Sequence, residues 1–137
     1  MLAGYLWNVI QYLSDEWLAA ANEAVSASNE LRKASEGQDV AIAYEVTGAP
    51  SGKVTYGLVF RDGASSVEPG PHRDAPTSFS LDYDTASQIA QGELSAQAAF
   101  MQGRLKVGGD VTVLVNQYRL IDGLDDALGK LREQTEY

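Results

Sequence analysis

The chain of 137 residues contains no cysteine and a single histidine, His72. These scarcities exclude disulfides, a thiolate nucleophile, a cysteine-rich zinc site and a pair of histidine ligands for a metal ion. The sequence also has no Gly-x-Ser-x-Gly elbow, Walker loop or dinucleotide fingerprint. We therefore expect a protein that is not an enzyme, has no catalytic residues, and holds neither a cofactor nor a metal.

Positive charge is scarce as well, because 10 Lys and Arg stand against 19 Asp and Glu, a formal net charge of -9. A field of this sign repels phosphate backbones, so nucleic acid is not an expected partner. Residues 1–13 are largely apolar but contain no Lys or Arg. They are too few to span a bilayer and lack the features of a signal peptide. From these features we predict a cytoplasmic location.

The remaining composition is that of one globular domain with a substantial core, since 45% of the residues are apolar and 21% are charged. Three parts are expected: an apolar N-terminal extension (1–13), a main domain (14–121) and a C-terminal helical extension of the same domain (122–137). The N-terminal extension has two interpretations. It covers an apolar patch on this subunit or on a partner, which would form a homodimer, or it makes a weak contact with a membrane surface.

Periodicity predicts one helix and three strands in the first half of the chain. Ser14 can cap a helix over 14–35, and Gly37 suits its end. From Asp39 onward apolar residues recur at every second position, which is typical of strands. Turns at 48–52 and at Asp62-Gly63 divide this stretch into three strands, which predicts an antiparallel meander. The apolar face of the first two strands consists of Val40, Ile42, Tyr44, Val46, Val54, Tyr56, Leu58 and Phe60.

The second half of the chain alternates short strands and helices after a loop at 68–76, which holds His72 and three of the four prolines. The predicted elements are a strand at 77–83, a helix capped by Asp84 that ends at Gln91, a helix capped by Ser95, a strand at 105–107 and a terminal helix capped by Asp122. Residues 111–115 fit a strand by their β-branched side chains and a helix by their apolar spacing, so periodicity leaves this segment open.

The segment Gly92–Asp110 carries the most specific pattern in the chain. It contains a glycine, an Ala-Phe pair at 99–100, the run Gly-Arg-Leu-Lys at 103–106 and a Gly-Gly turn at 108–109. This pattern resembles the sterol carrier protein type 2 family of lipid-binding domains, and Ser-Asp-Glu-Trp at 14–17 resembles the start of its bacterial members. The resemblance implies an α+β fold, a five-stranded mixed sheet with helices packed on one face that enclose an apolar cavity. It also implies that a last helix begins at the Gly-Gly turn and covers the cavity.

By the same resemblance, the protein is expected to be a carrier that sequesters fatty acyl or sterol-like ligands in that cavity. The candidate ligand contacts are apolar residues expected between the helices and the sheet: Phe79, Ile89, Phe100, Met101, Leu105, Val107, Leu114 and Tyr118. Arg104 or Arg119 is a candidate to pair with a fatty acid carboxylate. Polar residues in the last helix, Thr112, Asn116 and Gln117 among them, favour an alternative: a protein-interaction or regulatory scaffold of the same fold, with the cavity filled or closed. Tyr44, Tyr56 and Phe60 are large enough to fill it.

Two groups of polar residues have both a chemical and a structural interpretation. His72 beside Asp74 suggests acid–base chemistry, but its place in a proline-rich loop favours a solvent-exposed residue. Asp122, Asp125 and Asp126 offer oxygens to a calcium ion, but the same spacing suits the first turn of a helix, which is the role that we expect.

Overall fold

The computed structural model describes residues 9–137, so the predictions for residues 1–8 lie outside the described residues. The helices and strands of the described part follow one another in this order: β1 (Ile10–Gln11), α1 (Asp15–Ala27), α2 (Asn29–Ser35), β2 (Asp39–Ala49), β3 (Gly52–Arg61), β4 (Ala64–Pro69), β5 (Thr77–Asp82), α3 (Tyr83–Ala90), α4 (Ala96–Met101), β6 (Lys106–Gly109), α5 (Val113–Asn116), α6 (Tyr118–Ala127), α7 (Gly129–Glu133) and β7 (Thr135–Glu136).

Five of these strands form one mixed sheet in the order β4-β3-β2-β5-β6. Strand β2 is antiparallel to β3 and parallel to β5, and the other neighbours are antiparallel. Alternate side chains of β2, β3 and β5 point to one face, where Ile42, Phe60 and Phe79 join the buried core together with the helices. The prediction of an α+β fold with a five-stranded mixed sheet and helices on one face is confirmed.

The single helix predicted over 14–35 is two helices, because the chain turns at Ser28. Ser28 has an extended ψ of 120° and is both the C-cap of α1 and the N-cap of α2. Its hydroxyl accepts a hydrogen bond from the N–H of Leu31 at 3.2 Å, which offers the backbone an alternative to a continuous helix. The turn allows both Val25 and Leu31 to be buried, although they lie on different helices.

The helix that follows β5 begins two residues earlier than predicted. Asp82 caps α3, since its carboxylate accepts from the N–H of Thr85 at 2.7 Å. Tyr83, assigned by alternation to the preceding strand, is the first residue of this helix. The prediction that Asp84 is the cap is therefore wrong. The helix already begins at Tyr83, so the residue just before it, Asp82, holds the N-cap position. The cap at Ser95 is confirmed, with an oxygen–nitrogen distance of 3.0 Å to Ala98.

The segment that periodicity left open is helical. Residues Val113–Asn116 form α5 after the chain turns at Gly109, which has a positive φ of 72°. The predicted terminal helix differs at its start, because α6 already begins at Tyr118 and Asp122 lies inside it. Asp122 is thus not a helix cap, since the apolar stripe through Leu120 and Leu124 continues across it.

The two ends of the described chain pair with each other. Strand β1 is parallel to β7, and the N–H of Tyr12 donates to the carbonyl of Glu136 at 2.9 Å. Tyr12 and Leu13 are buried, and the φ of 63° at Leu13 is held by that burial in a region that bulky residues rarely adopt. Residues 10–13 and the C-terminal segment 122–137 therefore contribute side chains to the same core, Tyr12, Leu13 and Leu131 among them. No helix within residues 9–137 is long and apolar enough to span a bilayer.

Candidate functional site

A cavity of about 350 Å³ lies between the inner face of the sheet and the helices. Its floor is formed by β2, β3 and β5, and its walls come from α1, α3, α6, α7 and the segment 92–97. The lining is mainly apolar, with Ile42, Leu58, Phe60, Leu81, Leu120 and Leu128 among its members. A concave, largely apolar space with a few polar groups is the usual form of a site for a small apolar ligand.

Three of the eight candidate ligand contacts line this cavity: Phe79, Ile89 and Leu105. Val107 and Leu114 pack in the core without lining the cavity. Phe100, Met101 and Tyr118 are 42%, 85% and 51% exposed, so the prediction that they lie between helix and sheet is wrong.

The exposure of these three candidates follows from helix geometry. In α4 the buried residue is Ala99, and each following residue is rotated by about 100° around the helix axis. With Ala99 turned to the core, Phe100 and Met101 lie on the outer side. In α6 the inner stripe passes through Leu120 and Leu124, which leaves Tyr118 on the opposite side.

One end of the cavity is lined by tyrosines. Tyr44 and Tyr56 are directly opposite each other on β2 and β3, with stacked rings 4.8 Å apart at an interplanar angle of 12°. Phe79 on β5 meets Tyr44 edge-on at 5.1 Å. Tyr12 completes the group from the N-terminal side, where its hydroxyl donates to the carbonyl of Ala86 at 3.3 Å. Alternation predicts Tyr44 and Tyr56 on the inner face of the strands, where together with Phe60 they are expected as residues that can fill the cavity, not as ligand contacts.

Burial raises the pKa of Tyr44 and of Tyr56 well above the ordinary value for tyrosine. It raises the pKa of Tyr12 as well, with a further contribution from the nearby Tyr137, Tyr44 and Tyr83. These phenols are therefore neutral over the physiological range. The cavity presents hydroxyl groups that can donate and accept hydrogen bonds but carry no charge.

The polar rim of the cavity is organised by Arg132 on α7. Its Nε donates to the carbonyl of Ala90 at 2.7 Å, and its Nη2 lies 2.6 Å from a carboxylate oxygen of Asp125 on α6. These bonds connect α7 to α3 and α6 where Gln97 and Gln117 also line the cavity. No motif marked Arg132 in the sequence, because its role depends on a helix packing that brings residues 90, 125 and 132 together.

The two arginines considered for a ligand carboxylate lie elsewhere. Arg104 donates from Nε to the hydroxyl of Thr85 at 3.2 Å and pairs with Asp84 at 3.7 Å. Arg119 lines a separate groove of about 570 Å³ between α2 and α6, whose other side chains are mostly charged. Within the described residues neither arginine lines the apolar cavity.

The remaining polar candidates do not form a catalytic or metal site among the described residues. The sequence predicts a solvent-exposed His72, but its ring is half-buried and covers Gly57. The Nε2 atom of His72 lies 2.9 Å from the carbonyl of Glu68. Among residues 9–137 no group of three or more His, Asp or Glu side chains is arranged to hold a metal ion. Asp125 is instead the partner of Arg132.

Known structures share this architecture. A conserved hypothetical protein of Thermus thermophilus, described as possibly a sterol carrier protein, is 20% identical with a TM-score of 0.71, over 91% of this chain and 90% of its own. A crystal structure of sterol carrier protein 2 is 20% identical with a TM-score of 0.67, over 85% and 95%. The SCP2 domain of the ubiquinone synthesis protein UbiJ is 21% identical with a TM-score of 0.55, over 80% and 86%.

The sequence itself gives the family. No curated protein matches the chain at a significant level. The family model for the SCP-2 sterol transfer family matches residues 16–122, which confirms the resemblance carried by the segment 92–110 and by the start of α1. The chain therefore belongs to the SCP-2 sterol transfer family.

Proposed function

We propose that this protein is a non-enzymatic carrier that reversibly binds a fatty acyl or sterol-like ligand in the cavity between the sheet and the helices. The single observation that carries the proposal is the apolar lining of that space, about 350 Å³ in volume, within a fold of the SCP-2 sterol transfer family. The likeness to sterol carrier protein 2 supports the same class of ligand.

The energetic cost of an empty cavity supports a ligand. At about 24 cal/mol per Å³, a dry space of about 350 Å³ would cost at most about 8 kcal/mol. That is comparable with the whole stability of an ordinary domain, about 5–15 kcal/mol. An apolar occupant removes this cost, because its atoms replace the missing contacts of Ile42, Leu58 and Phe60.

Affinity is expected to be moderate, as a carrier requires. Burial of a fourteen-carbon chain would contribute about 11 kcal/mol at about 0.8 kcal/mol per methylene. Association costs of at least about 4 kcal/mol leave a dissociation constant on the order of 10 μM. A ligand bound with this strength is held and can still be released.

The alternative of a scaffold with a closed cavity has less support. Thr112 and Asn116, the polar residues that suggested it, are exposed and do not line the cavity. Gln117 lines it but donates to Gln38 Oε1 at 3.2 Å, so its amide already has a partner. The polar side chains of this region therefore leave the space open.

Contact with a membrane surface, through which a ligand would exchange, is part of the proposal. It is supported by exposed apolar side chains on and beside α4, α5 and α6, namely Phe100, Met101, Val111, Val115 and Tyr118. The homodimer through residues 1–13 and the cytoplasmic location stay predictions of the sequence.

The proposal is tested by lipid extraction and mass spectrometry of the purified protein, together with titration of the neutral fluorescent probe N-phenyl-1-naphthylamine. Saturable binding is expected in the wild type. Ala90→Phe, which places a ring in the cavity wall, should weaken probe binding at least about tenfold because the ring occupies ligand space. Ala27→Phe, on the exposed end of α1, is the matched control. Absence of both co-purified lipid and saturable probe binding would refute the carrier.

A further inference from the structure

The tyrosine end of the cavity indicates what kind of head group the ligand carries. We propose that the cavity selects an apolar ligand with an uncharged hydrogen-bonding head, a hydroxyl or a carbonyl, which binds the hydroxyls of Tyr44 and Tyr56. A ligand ending in a carboxylate or a phosphate ester is disfavoured. This inference rests on the proposed function, since it requires that the cavity takes a ligand.

The two hydroxyls are held in fixed positions. Tyr44 and Tyr56 form a cross-strand pair whose rings stack at 4.8 Å, and Phe79 supports Tyr44 edge-on at 5.1 Å. Both residues line the cavity, so the stacked rings extend from the sheet side by side into the same space. Two parallel phenols can hydrogen-bond one oxygen atom together, which gives the head group a defined seat.

Neither hydroxyl has a hydrogen-bond partner among residues 9–137. Tyr56 is 7% exposed, and burial alone accounts for the raised pKa of Tyr44, with no hydrogen bond contributing. The third phenol, Tyr12, differs because it donates to Ala86 O at 3.3 Å. Among the described residues, the fully enclosed side-chain oxygens without a partner are those of Ser65 and Ser87, so the hydroxyls of Tyr44 and Tyr56 open into the cavity. The head group of a ligand can therefore take the place of water on both hydroxyls.

The charges around the cavity disfavour an anionic head. Arg132 is the one cationic side chain that lines the cavity among the described residues, and its charge is already paired with the carboxylate of Asp125, while its Nε donates to the carbonyl of Ala90. Asp122 and Asp125 add negative charge at the same rim. A carboxylate drawn into this space would lose its hydration without gaining a free counter-ion, which is far more costly than burial of a hydroxyl.

The test is displacement of N-phenyl-1-naphthylamine by two ligands with the same chain, dodecan-1-ol and dodecanoate, at about pH 8, where the acid is ionised. The wild type is expected to bind the alcohol at least about tenfold more tightly than the carboxylate. The double variant Tyr44→Phe/Tyr56→Phe should bind the alcohol about tenfold more weakly, from the loss of two hydrogen bonds, when each displacement curve is converted with the dissociation constant of the probe for that variant.

Two controls keep the result interpretable. Tyr118→Phe makes the same chemical change at an exposed residue outside the cavity and should leave both ligands unaffected. If the double variant does not fold by circular dichroism, Tyr44→Phe and Tyr56→Phe are measured singly, each with an expected loss of about threefold for the alcohol.

The outcomes separate the two proposals. If the wild type binds the probe but dodecanoate displaces it as well as the alcohol does, or the tyrosine variants bind the alcohol like the wild type, the head-group inference is wrong and the carrier stands. If the wild type binds neither the probe nor the alcohol and no lipid co-purifies with it, the carrier proposal itself is wrong, and the inference falls with it.

Discussion

The imidazole ring of His72 lies directly over Gly57, on the face of the sheet opposite the cavity. A Cβ atom at Gly57 would be 2.5 Å from Cδ2 of this ring. The Nε2 atom of His72 is bound at 2.9 Å to the carbonyl of Glu68, on the strand beside Gly57. The histidine thus ties the proline-rich loop to the outer face of the sheet, and Gly57 provides the space.

This contact predicts that Gly57→Ala destabilises the protein. The added methyl group would overlap the ring, and overpacking of this kind costs about 1–3 kcal/mol. Urea unfolding measures the change. Gly129→Ala, which meets no atom within 4 Å, is the control and should be nearly neutral. Because the clash needs the ring, the double variant Gly57→Ala/His72→Ala should recover part of the loss, and a purely additive double variant would contradict the contact.

Asp82 and Asp84 offer a second test, because the structure makes only the first a helix cap. Asp82→Ala should lower the free energy of unfolding by about 1 kcal/mol at about pH 7 through loss of the bond to the N–H of Thr85. Hydrogen bonds from the side chain and from the backbone N–H of Thr85 lower the pKa of Asp82, so their contribution is complete above the unfolded pKa of about 3.9 and disappears as the pH falls through the folded one.

The matched control for the cap is Asp84→Ala. The carboxylate of Asp84 is exposed and its ion pair with Arg104 spans 3.7 Å, so its loss should cost at most about 0.5 kcal/mol. Urea unfolding should show a difference between Asp82→Ala and the wild type that is smaller at about pH 3 than at neutral pH and is lost only below the folded pKa of Asp82. A larger effect of Asp84→Ala than of Asp82→Ala would mean that Asp84 is the N-cap after all, as the sequence predicts.

These caps show why the sequence predicts elements better than their boundaries. Alternation located the strands, and the family motif between residues 92 and 110 indicated the fold. Asp82 and Asp84 have the same side chain, however. Only the residue at which β5 ends decides which of them holds the N-cap position of α3. The same holds for Asp122, which resembles a cap until the packing of α6 places it mid-helix.

The sequence located part of the cavity lining. Phe79 lies on a strand, where every second residue points inward, and it lines the cavity together with Ile89 on α3 and Leu105 just before β6. Phe100 and Met101 lie on a six-residue helix, for which hydrophobicity does not show which side faces the core. Arg132 and Tyr12 escaped prediction because their contacts with residues 90, 125 and 86 join parts of the chain that are distant in sequence.

Substitution of Gly109 by alanine should lower the free energy of unfolding strongly. Its φ is positive, at 72°, and an added Cβ would be 2.0 Å from the carbonyl oxygen of Pro76. Both the left-handed backbone and the backbone contact oppose a side chain, so Gly109→Ala should cost more than about 3 kcal/mol. Gly103 has a φ of 76° but open space around it, and Gly103→Ala should cost only about 1 kcal/mol. Equal losses in urea unfolding would mean that the contact with Pro76 is absent.

Substitution of Arg132 should affect both the stability of the protein and the rate of ligand exchange. Arg132→Met removes the bonds to Ala90 and Asp125 and should cost about 1–2 kcal/mol, whereas Asp125→Asn removes a partly exposed ion pair and should cost less than about 1 kcal/mol. Because Arg132 connects α7 to α3 at the rim, its loss should also speed release of N-phenyl-1-naphthylamine, measured by stopped-flow fluorescence. Identical release rates in Arg132→Met and the wild type would show that these bonds do not hold the rim closed.

The buried phenols predict a loss of stability in alkali. Burial raises the pKa of Tyr12, Tyr44 and Tyr56 in the folded state, whereas in the unfolded chain tyrosine ionises at about pH 10. Above that pH the unfolded state releases protons that the folded state keeps. The free energy of unfolding then falls by about 1.4 kcal/mol per pH unit for each such tyrosine, while below it their contribution is constant.

Urea unfolding between about pH 8 and pH 11, with tyrosinate absorbance as a second signal, measures this slope. Tyr44→Phe/Tyr56→Phe should flatten it by about 2.7 kcal/mol per pH unit, because two of the three buried phenols are gone. Tyr118→Phe changes an exposed residue and should keep the slope of the wild type. A slope unaltered in the double variant would mean that alkali reaches these phenols in the folded protein, in which case the tyrosine end of the cavity is open to water and cannot discriminate against charge.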